Sequence, residues 1–361
     1  MKFIHTADNH LFKSFAASKL PPSVAQAYRK DMLSAFREII AAAGKADILL
    51  ISGDLTEMAE SSAAGVKRVF DLIGSISDTA VFLSCGNHDY LSENNLYKSL
   101  SLPPNLCIFP PKLSSVYMED INTRIWGFSW EKSRYGKLPF DFAKLNTEEI
   151  NILCLHGDVS DNSPYMSIPP EALKAAGFDY VALGHVHKPG KIAESIYYAG
   201  SACALDFSET GPHGYITGVL TKQKGESGKA GYSFTNTDVP SFLSLEVDIS
   251  GLESYDEIKQ SLMGQIKNPD RDMVRVSFKG FRGEGIDIPS LCEELEEELY
   301  CLVCKDETSP DYNLEQLYRE NKENIIGLFI KQYEGREDRA SKAALYAGLD
   351  ALLPRGKEGA L

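Results

Sequence analysis

The chain has 361 residues, which is too long for one ordinary hydrophobic core and predicts two domains. Its formal net charge of −14 argues against a protein that coats nucleic acid by bulk electrostatics, because affinity for the phosphate backbone comes from Lys and Arg. The composition is that of a soluble globular protein, and no apolar run reaches the ~18–20 residues that a membrane-spanning helix needs.

Along the first half of the chain, continuous apolar runs alternate with segments of helical spacing, which indicates sheets covered by helices. Strands are predicted at 2–8, 47–54, 80–85, 150–155 and 180–183. Helices are predicted at 32–43, 66–73 and 172–176. Shorter strands between 105 and 130, and at 196–199 and 215–220, predict a second sheet stacked on the first.

A second domain is predicted after Asp238-Val239-Pro240. A strand, helix, strand, helix and strand are expected there at 243–249, 255–266, 273–278, 289–300 and 302–305, which is a compact α+β module. Two further helices are expected at 313–333 and 339–353. The predicted division is therefore 1–240, 241–310 and a helical segment at 311–361.

The N-terminus enters a strand pattern at Phe3, so we expect no secretory signal. Seven cysteines without regular spacing fit the reduced thiols of a cytoplasmic protein. Cys301 and Cys304 form a Cys-x-x-Cys pair, but a structural zinc site needs a second such pair, so we expect buried thiols.

Five short segments, each at the end of an apolar run, combine His with Asp, Asn and Gly. They are Asp8-Asn9-His10, Gly53-Asp54, Gly86-Asn87-His88-Asp89, His156-Gly157-Asp158 and Gly184-His185-Val186-His187. Histidine and carboxylate are ligands that divalent transition metals prefer. Because ligands at the carboxyl ends of successive strands converge on one edge of a layered α/β fold, we expect these side chains to meet.

The spacing inside the segments supports a shared metal centre. Asp8 and His10, like His185 and His187, lie two residues apart, and in extended backbone such side chains point the same way. The predicted metal ligands are Asp8, His10, Asp54, Asn87, His156, His185 and His187. Two ions about 3.5–4 Å apart would clamp the attacking and leaving oxygens of an in-line displacement, which predicts a phosphoester hydrolase.

His88 is the histidine of these segments that is not among the predicted metal ligands. It can donate a proton or a hydrogen bond, and Asp89 is predicted to fix its tautomer and orientation. His5, which lies in mid-strand, and His213, which lies in a turn, are expected to be structural.

The five segments resemble the motifs of the calcineurin-like metallophosphoesterases. The stretches 3–11 (FIHTADNHL) and 178–189 (FDYVALGHVHKP) look more narrowly like the bacterial DNA-repair exonuclease branch, the SbcD- and YhaO-like nuclease subunits. The resemblance implies a four-layer α/β/β/α sandwich with a dinuclear centre, followed by a smaller α+β capping domain. Where that superfamily often continues the first motif with Leu-Gly, this chain has Leu11-Phe12, which we expect to narrow the approach to the site.

The resemblance also implies roles for individual residues. One ion would be held by Asp8, His10, Asp54 and His187, and the other by Asp54, Asn87, His156 and His185. The resemblance implies manganese as the favoured ion, while the ligand types alone suit iron or zinc equally well. The nucleophile would be a metal-bound hydroxide. His88 would stabilise the transition state or act as general acid, with Asp89 as its orienting partner.

Three functions are compatible with these residues. The first is a DNA exonuclease and endonuclease of a repair complex, working as a homodimer with an ABC-type coiled-coil ATPase of the SbcC or YhaN kind, which would dock on the helices at 313–353. The second is a small-molecule phosphodiesterase or phosphatase on the same fold, which fits the acidity and Phe12. The third is a non-catalytic metal-bound scaffold, which the complete set of ligands disfavours.

Overall fold

The structure is a computed structural model that describes residues 1–353, apart from 17, 19, 143, 224, 225, 227, 284 and 337. The chain divides into two compact units, Met1–Ser241 and Phe242–Leu361. Residues 354–361 of the expected C-terminal helical segment lie outside the described residues.

The first unit is built on two large mixed sheets. Its strands are β1 (Lys2–Thr6), β2 (Ile48–Ile51), β3 (Ala80–Leu83), β4 (Leu106–Ile108), β5 (Ser114–Met118), β6 (Thr123–Gly127), β7 (Tyr135–Lys137), β8 (Ile150–His156), β9 (Tyr165–Ser167), β10 (Tyr180–Gly184), β11 (Gly190–Ala193), β12 (Ile196–Tyr198), β13 (Gly214–Thr221) and β14 (Lys229–Asn236). Its helices are α1 (Pro22–Ala43), α2 (Ala63–Gly74), α3 (Leu96–Ser99) and α4 (Pro170–Ala175).

The strand order places the predicted motifs on central strands. One sheet runs β14-β13-β1-β2-β3-β4, with β1 to β4 parallel and β13 antiparallel to β1. The other runs β11-β12-β10-β8-β6-β5, with β12, β10, β8 and β6 parallel. Strands β7 and β9 pair separately.

The two sheets pack face to face over one core. Phe3 and Leu50 from the first sheet share a buried cluster with Ile152 and Ala182 from the second. Alternate residues of the second sheet face outward and pack with Leu173 of α4. On the far side of the first sheet, α1 contacts both β1 and α2. The predicted α/β/β/α layering is therefore confirmed.

Helix α1 is longer than predicted, because it starts at Pro22 rather than near residue 32. Proline is favourable at the first helical position, where its missing N–H has no intrahelical partner to lose. The first turns carry fewer large apolar residues than the part around Phe36 and Ile39, so hydrophobic periodicity alone did not reveal them.

The second unit contains a parallel three-stranded sheet. Its elements alternate as β15 (Phe242–Asp248), α5 (Tyr255–Met263), β16 (Met273–Arg282), α6 (Ile288–Glu298) and β17 (Cys301–Pro310). The apolar faces of α5 and α6 pack on this sheet, with Ile258 and Leu291 fully buried. Strand β17 runs beyond the predicted residue 305 because its polar end continues to pair with β16 as far as Pro310.

The tail differs from the two predicted helices. It forms α7 (Leu314–Glu320), α8 (Ile325–Gln332) and α9 (Arg339–Leu352). The expected helix at 313–333 is interrupted because Asn324 caps a new helix, its side chain accepting hydrogen bonds from the backbone N–H groups of Ile326 and Gly327. Within the described residues, no helix has the length and apolar character of a membrane span.

The expectation of reduced thiols is wrong for two cysteines. Packing of α6 against β17 brings Cys292 and Cys304 together, and the structure joins them as a disulfide. Cys301, the other member of the Cys-x-x-Cys pair, is a buried free thiol.

Candidate metal centre

The predicted ligands lie at the carboxyl ends of parallel strands from both sheets. Strands β1, β2 and β3 lead into the segments that carry Asp8, Asp54 and Asn87. In the other sheet, His156 is the last residue of β8, and β10 leads into the segment with His185 and His187. Because the two sheets are stacked, both sets of strand ends open on one edge of the sandwich.

The backbone at these strand ends is strained. Asp8, His10, Asp54 and His185 take left-handed φ values of 49°, 43°, 51° and 100°. Such conformations cost about 1–3 kcal/mol each for residues other than glycine and cluster at functional sites.

Glycine is required at two of the motif positions for close packing. A Cβ on Gly53, which has φ of 89°, would overlap the His156 ring, and one on Gly86 would overlap the Asp54 carboxylate. These contacts explain why glycine precedes the ligand in the Gly-Asp and Gly-Asn-His segments.

Asp8, His10 and His187 form the first cluster, with candidate ligand atoms all within 4.8 Å of one another. The Nε2 atoms of His10 and His187 face each other at 3.2 Å. Each Nδ1 is bound to a carboxylate: that of His10 to Glu57 at 2.9 Å and that of His187 to Glu209 at 2.7 Å. Carboxylates on Nδ1 orient imidazoles with Nε2 toward a metal and increase their basicity.

Asp8, Asp54 and His156 form the second cluster, within the same 4.8 Å limit. The Nδ1 of His156 donates to the carbonyl of Ser52 at 2.9 Å, which leaves a lone pair on Nε2. That Nε2 lies 2.9 Å from Asn87 Oδ1 and 3.4 Å from Asp54 Oδ2. His156 Nε2, Asn87 Oδ1 and Asp54 Oδ2 therefore converge, and none of the three carries a hydrogen that could bond to the others. Such a group of electron-pair donors suits a bound cation.

The two central carboxylates differ in electrostatic setting. Burial raises the pKa of Asp8, whose oxygens accept the backbone N–H of His185 at 2.9 and 3.1 Å. Burial also opposes ionisation of Asp54, but the nearby imidazoles of His156 and His10 outweigh it and lower the pKa of Asp54. Asp54 Oδ2 is 3.8 Å from His10 Nε2, so this carboxylate reaches both clusters.

His185 lies beside the second cluster. Its ring centroid is 5.3 Å from that of His156 and 5.0 Å from that of Tyr165. Burial lowers the pKa of His185 to about 3, so the ring is neutral and able to bind a metal at ordinary pH. Among the described residues, the tight groups of possible ligands do not include it.

His88 is oriented by Glu57. The Nδ1 of His88 is 2.8 Å from Glu57 Oε2, while the other oxygen of Glu57 binds His10, so one carboxylate joins both rings. The hydrogen bond to Glu57 raises the pKa of His88, and the side chain of His88 is 41% exposed. His88 thus lies at the exposed edge of the site, and its contact with substrate stays a prediction.

Asp89 has a different position from the one predicted. Its carboxylate accepts hydrogen bonds from the backbone N–H groups of Gly86 and Leu55, at 2.7 and 2.9 Å, and from the Tyr97 hydroxyl at 3.1 Å. Burial raises the pKa of Asp89 to about 7. The interpretation of Asp89 as the orienting partner of His88 is therefore replaced: Asp89 ties together two ligand-bearing loops, and Glu57 orients the ring.

Sequence reasoning missed both Glu57 and Glu209. Glu57 lies three residues after Asp54, close enough to a motif to have been considered. Glu209 lies 22 residues after His187, with no motif around it. His213, expected to be structural, braces this loop through its Nε2, which is 3.0 Å from the Glu209 carbonyl.

His5 is a core residue, as expected. It is completely buried, with Nδ1 at 3.0 Å from the Tyr180 hydroxyl and Nε2 at 3.2 Å from the Leu183 carbonyl. Burial lowers the pKa of His5 to about 3. It therefore stays neutral and joins the two sheets beneath the site.

The chain is similar in sequence to known phosphoesterases. The family model "Calcineurin-like phosphoesterase" matches residues 1–189. The chain is 28% identical over 232 residues to the "Uncharacterized metallophosphoesterase YhaO" of Bacillus subtilis, covering 60% of this chain and 56% of that protein, so it spans little more than half of that relative.

Two further proteins align with the chain over a larger share of their own length than YhaO does. The "DNA double-strand break repair protein Mre11" of Methanococcus maripaludis is 24% identical over 376 aligned positions, covering 94% of this chain and 96% of that protein. A solved dimetal phosphatase from Danio rerio matches 65% of this chain and 98% of its own, with 12% identity and a TM-score of 0.37.

Proposed function

We propose that this chain, which belongs to the calcineurin-like phosphoesterase family, is a DNA exonuclease and endonuclease of a cytoplasmic repair complex. The observation that carries phosphoester hydrolysis is the facing pair of imidazoles in the first cluster, His10 and His187, each backed by a glutamate and joined by Asp8. Asp54 of the second cluster also approaches His10 of the first, so the two clusters would hold neighbouring ions.

The seven predicted ligands carry the nitrogen and oxygen donors that divalent transition metals prefer; five belong to the two clusters, Asn87 contacts His156, and His185 lies beside the second cluster. When bound, such ions would lower the pKa of water and neutralise negative charge on a phosphate. Asp8, His10, Asp54 and His187 would hold one ion, and Asp54, Asn87, His156 and His185 the other. Manganese is our proposed ion, although imidazole and carboxylate donors also suit iron and zinc.

His88 would act on the leaving group. Its Nδ1–H donates to Glu57, and this hydrogen bond raises the pKa of His88, which favours a second proton on Nε2. From the exposed edge of the site, Nε2–H would give that proton to the leaving oxygen as the phosphorus–oxygen bond breaks. Glu57 would hold the ring in place and stabilise its charge throughout.

DNA as substrate is supported by sequence similarity. The Mre11 relative, whose name refers to DNA double-strand break repair, aligns along nearly the whole chain. By the same reasoning we propose a homodimer that works with an ABC-type coiled-coil ATPase of the SbcC or YhaN kind. Helix α8 offers a surface for it, since Ile325 and Leu328 are 64% and 63% exposed.

The central test is digestion of linear DNA by the purified full-length chain in the presence of Mn²⁺, with and without such an ATPase. We expect metal-dependent cleavage, and we expect His88→Ala to lose it while keeping its metal content, because His88 is not a predicted ligand. Retained digestion in His88→Ala would remove the proposed role of His88. Turnover of aryl phosphodiesters or nucleotides without DNA cleavage would overturn DNA as substrate and favour the small-molecule phosphodiesterase.

A further inference from the structure

We propose that a groove between α1 and α2 binds a phosphate of the substrate strand next to the metal centre. This inference rests on the proposed nuclease function. The groove is a cavity of about 310 Å³, which we call the basic groove, and the residues that define it are Leu11, Phe12, Arg29, Lys30, Glu60 and Arg68.

The basic groove adjoins the metal centre through the chain itself. Leu11 and Phe12 directly follow His10, and the N–H of Leu11 donates to the carbonyl of Leu55, the residue after Asp54. Two ligand-bearing segments therefore meet at one wall of the groove. A strand with its scissile phosphate at the metals could place a neighbouring phosphate here.

The groove concentrates positive charge on an acidic protein. Arg29 and Lys30 project from α1 and Arg68 from α2, all three exposed. Within the described part of the chain, none of the three takes part in a salt bridge. The acid in the groove, Glu60, is bound by the Ser14 hydroxyl at 2.7 Å. Three cations against one acid, on a chain of net charge −14, form a local attraction for anions.

The chemistry of the lining suits a nucleotide unit. Guanidinium groups bind phosphate oxygens in bidentate fashion, and two arginines face this cavity from different helices. Phe12 supplies an aromatic wall on which a sugar or base can pack. Its backbone has φ of 78°, and its ring lies against Gly65, where a Cβ would be 3.1 Å from Cζ. Phe12 thus belongs to the groove.

The test compares two triple variants of the full-length chain. One removes the groove cations: Arg29→Gln, Lys30→Gln and Arg68→Gln. The control removes the same charge from exposed cations of the same unit outside the groove: Arg37→Gln, Lys45→Gln and Lys112→Gln. Binding of a fluorescent single-stranded oligonucleotide is measured by anisotropy in metal-free buffer over a range of salt, and cleavage of a small aryl phosphodiester is measured separately with metal.

We expect the groove variant to bind the oligonucleotide about tenfold more weakly at low salt. The slope of log affinity against log salt concentration should also become shallower, by roughly 0.7 for each phosphate that the variant no longer neutralises. The control variant should bind like the wild type, and aryl phosphodiester turnover should be unchanged in both. A 5′-mononucleotide at equal phosphate concentration should not displace the oligonucleotide.

Equal oligonucleotide binding by the two variants, or no binding by the wild type, would overturn the proposal that the basic groove binds a phosphate of the strand. Displacement by the mononucleotide would also overturn it, because the occupant would then be a small nucleotide. Failure of the nuclease proposal would be seen differently, as aryl phosphodiester turnover without DNA cleavage by the wild type. The two failures are therefore distinguishable.

Discussion

The two clusters of the candidate centre orient their histidines by different means. In the first, the Nδ1 atoms of His10 and His187 are bound to glutamates, Glu57 and Glu209. In the second, the Nδ1 of His156 is bound to a backbone carbonyl, that of Ser52. A carbonyl fixes the tautomer, whereas a carboxylate also stabilises positive charge on the ring.

His187 and His185 differ in how readily they hold a proton. Burial acts to lower the pKa of His187, but the hydrogen bond to Glu209 and the charge of Asp8 raise it to about 9. For His185, burial prevails and the pKa falls to about 3. His187 of the first cluster thus stabilises a cation even when the cation is a proton, whereas His185, beside the second cluster, is a neutral ring. Four predictions test this contrast.

The largest effect is expected where the clusters meet. Asp54→Asn keeps the shape of the side chain and removes the charge that both clusters share. We expect loss of both ions and a fall in phosphodiesterase activity of more than roughly 100-fold, the upper end of the cost of losing an outer partner of a metal ligand. Metal analysis and aryl phosphodiester turnover measure this. Asp158→Asn is the control, and normal metal content in Asp54→Asn would contradict the shared role.

Glu57→Gln should have the next largest effect. Glutamine has one acceptor oxygen, so it can accept from only one of the two Nδ1–H groups that Glu57 binds, at 2.9 and 2.8 Å. We expect metal affinity to fall about 10–100-fold. Cleavage of DNA should fall more than cleavage of an aryl phosphodiester, because a good leaving group needs no proton from His88.

Equal losses on the two substrates would show that Glu57 acts on the metal ligand alone. Glu93→Gln, an exposed substitution of the same kind, should change neither activity.

Glu209→Gln should have a smaller and more selective effect, since Glu209 contacts the ring of His187 and neither His10 nor His88. We expect about tenfold weaker binding of one ion, with the second ion unaffected. The ratio of DNA to aryl phosphodiester cleavage should stay at the wild-type value. A change in that ratio would mean that Glu209 also acts on the leaving group.

The smallest effect is a proton linkage. His187, with a pKa of about 9, carries a proton in the metal-free protein at pH 7.5, and an incoming ion must displace it. Affinity at the first cluster should therefore rise with pH, by at most about tenfold per unit, and level off above about 9. Calorimetry in buffers of different ionisation enthalpy counts the released protons. Glu209→Gln should release fewer, and an unchanged number would contradict the contrast.

Much of the fold was predictable because its strands are apolar and its helices amphipathic. That pattern predicted helix-covered sheets, a second stacked sheet and the alternating elements of the second unit, whereas the four-layer order came from the family resemblance. Errors arose where periodicity carries no signal. The first turns of α1, the polar end of β17 and the break before Asn324 depend on a terminal proline, cross-strand pairing and a side-chain cap.

Residues of the site were predictable only where they lie at or just after the end of a predicted strand. Asp89 was assigned to His88 because the two are adjacent in sequence, but adjacency does not determine where each side chain points in the bend that follows β3. Asp89 turns into the core, and His88 turns outward to Glu57. Sequence spacing could not have identified Glu209. It lies in the irregular segment between β12 and β13, and only folding brings it to His187.

By itself, the sequence determined the sheets, the strand ends that carry possible ligands and the chemical class of those ligands. It could do so because apolar periodicity and ligand type are local properties of the chain. Only the tertiary structure decided which atoms face each other. His10 and His187, for example, are 177 positions apart and meet at 3.2 Å because two stacked sheets share one open edge. The contacts of Glu57 with His10 and of Glu209 with His187 likewise depend on loops that only the folded chain brings together.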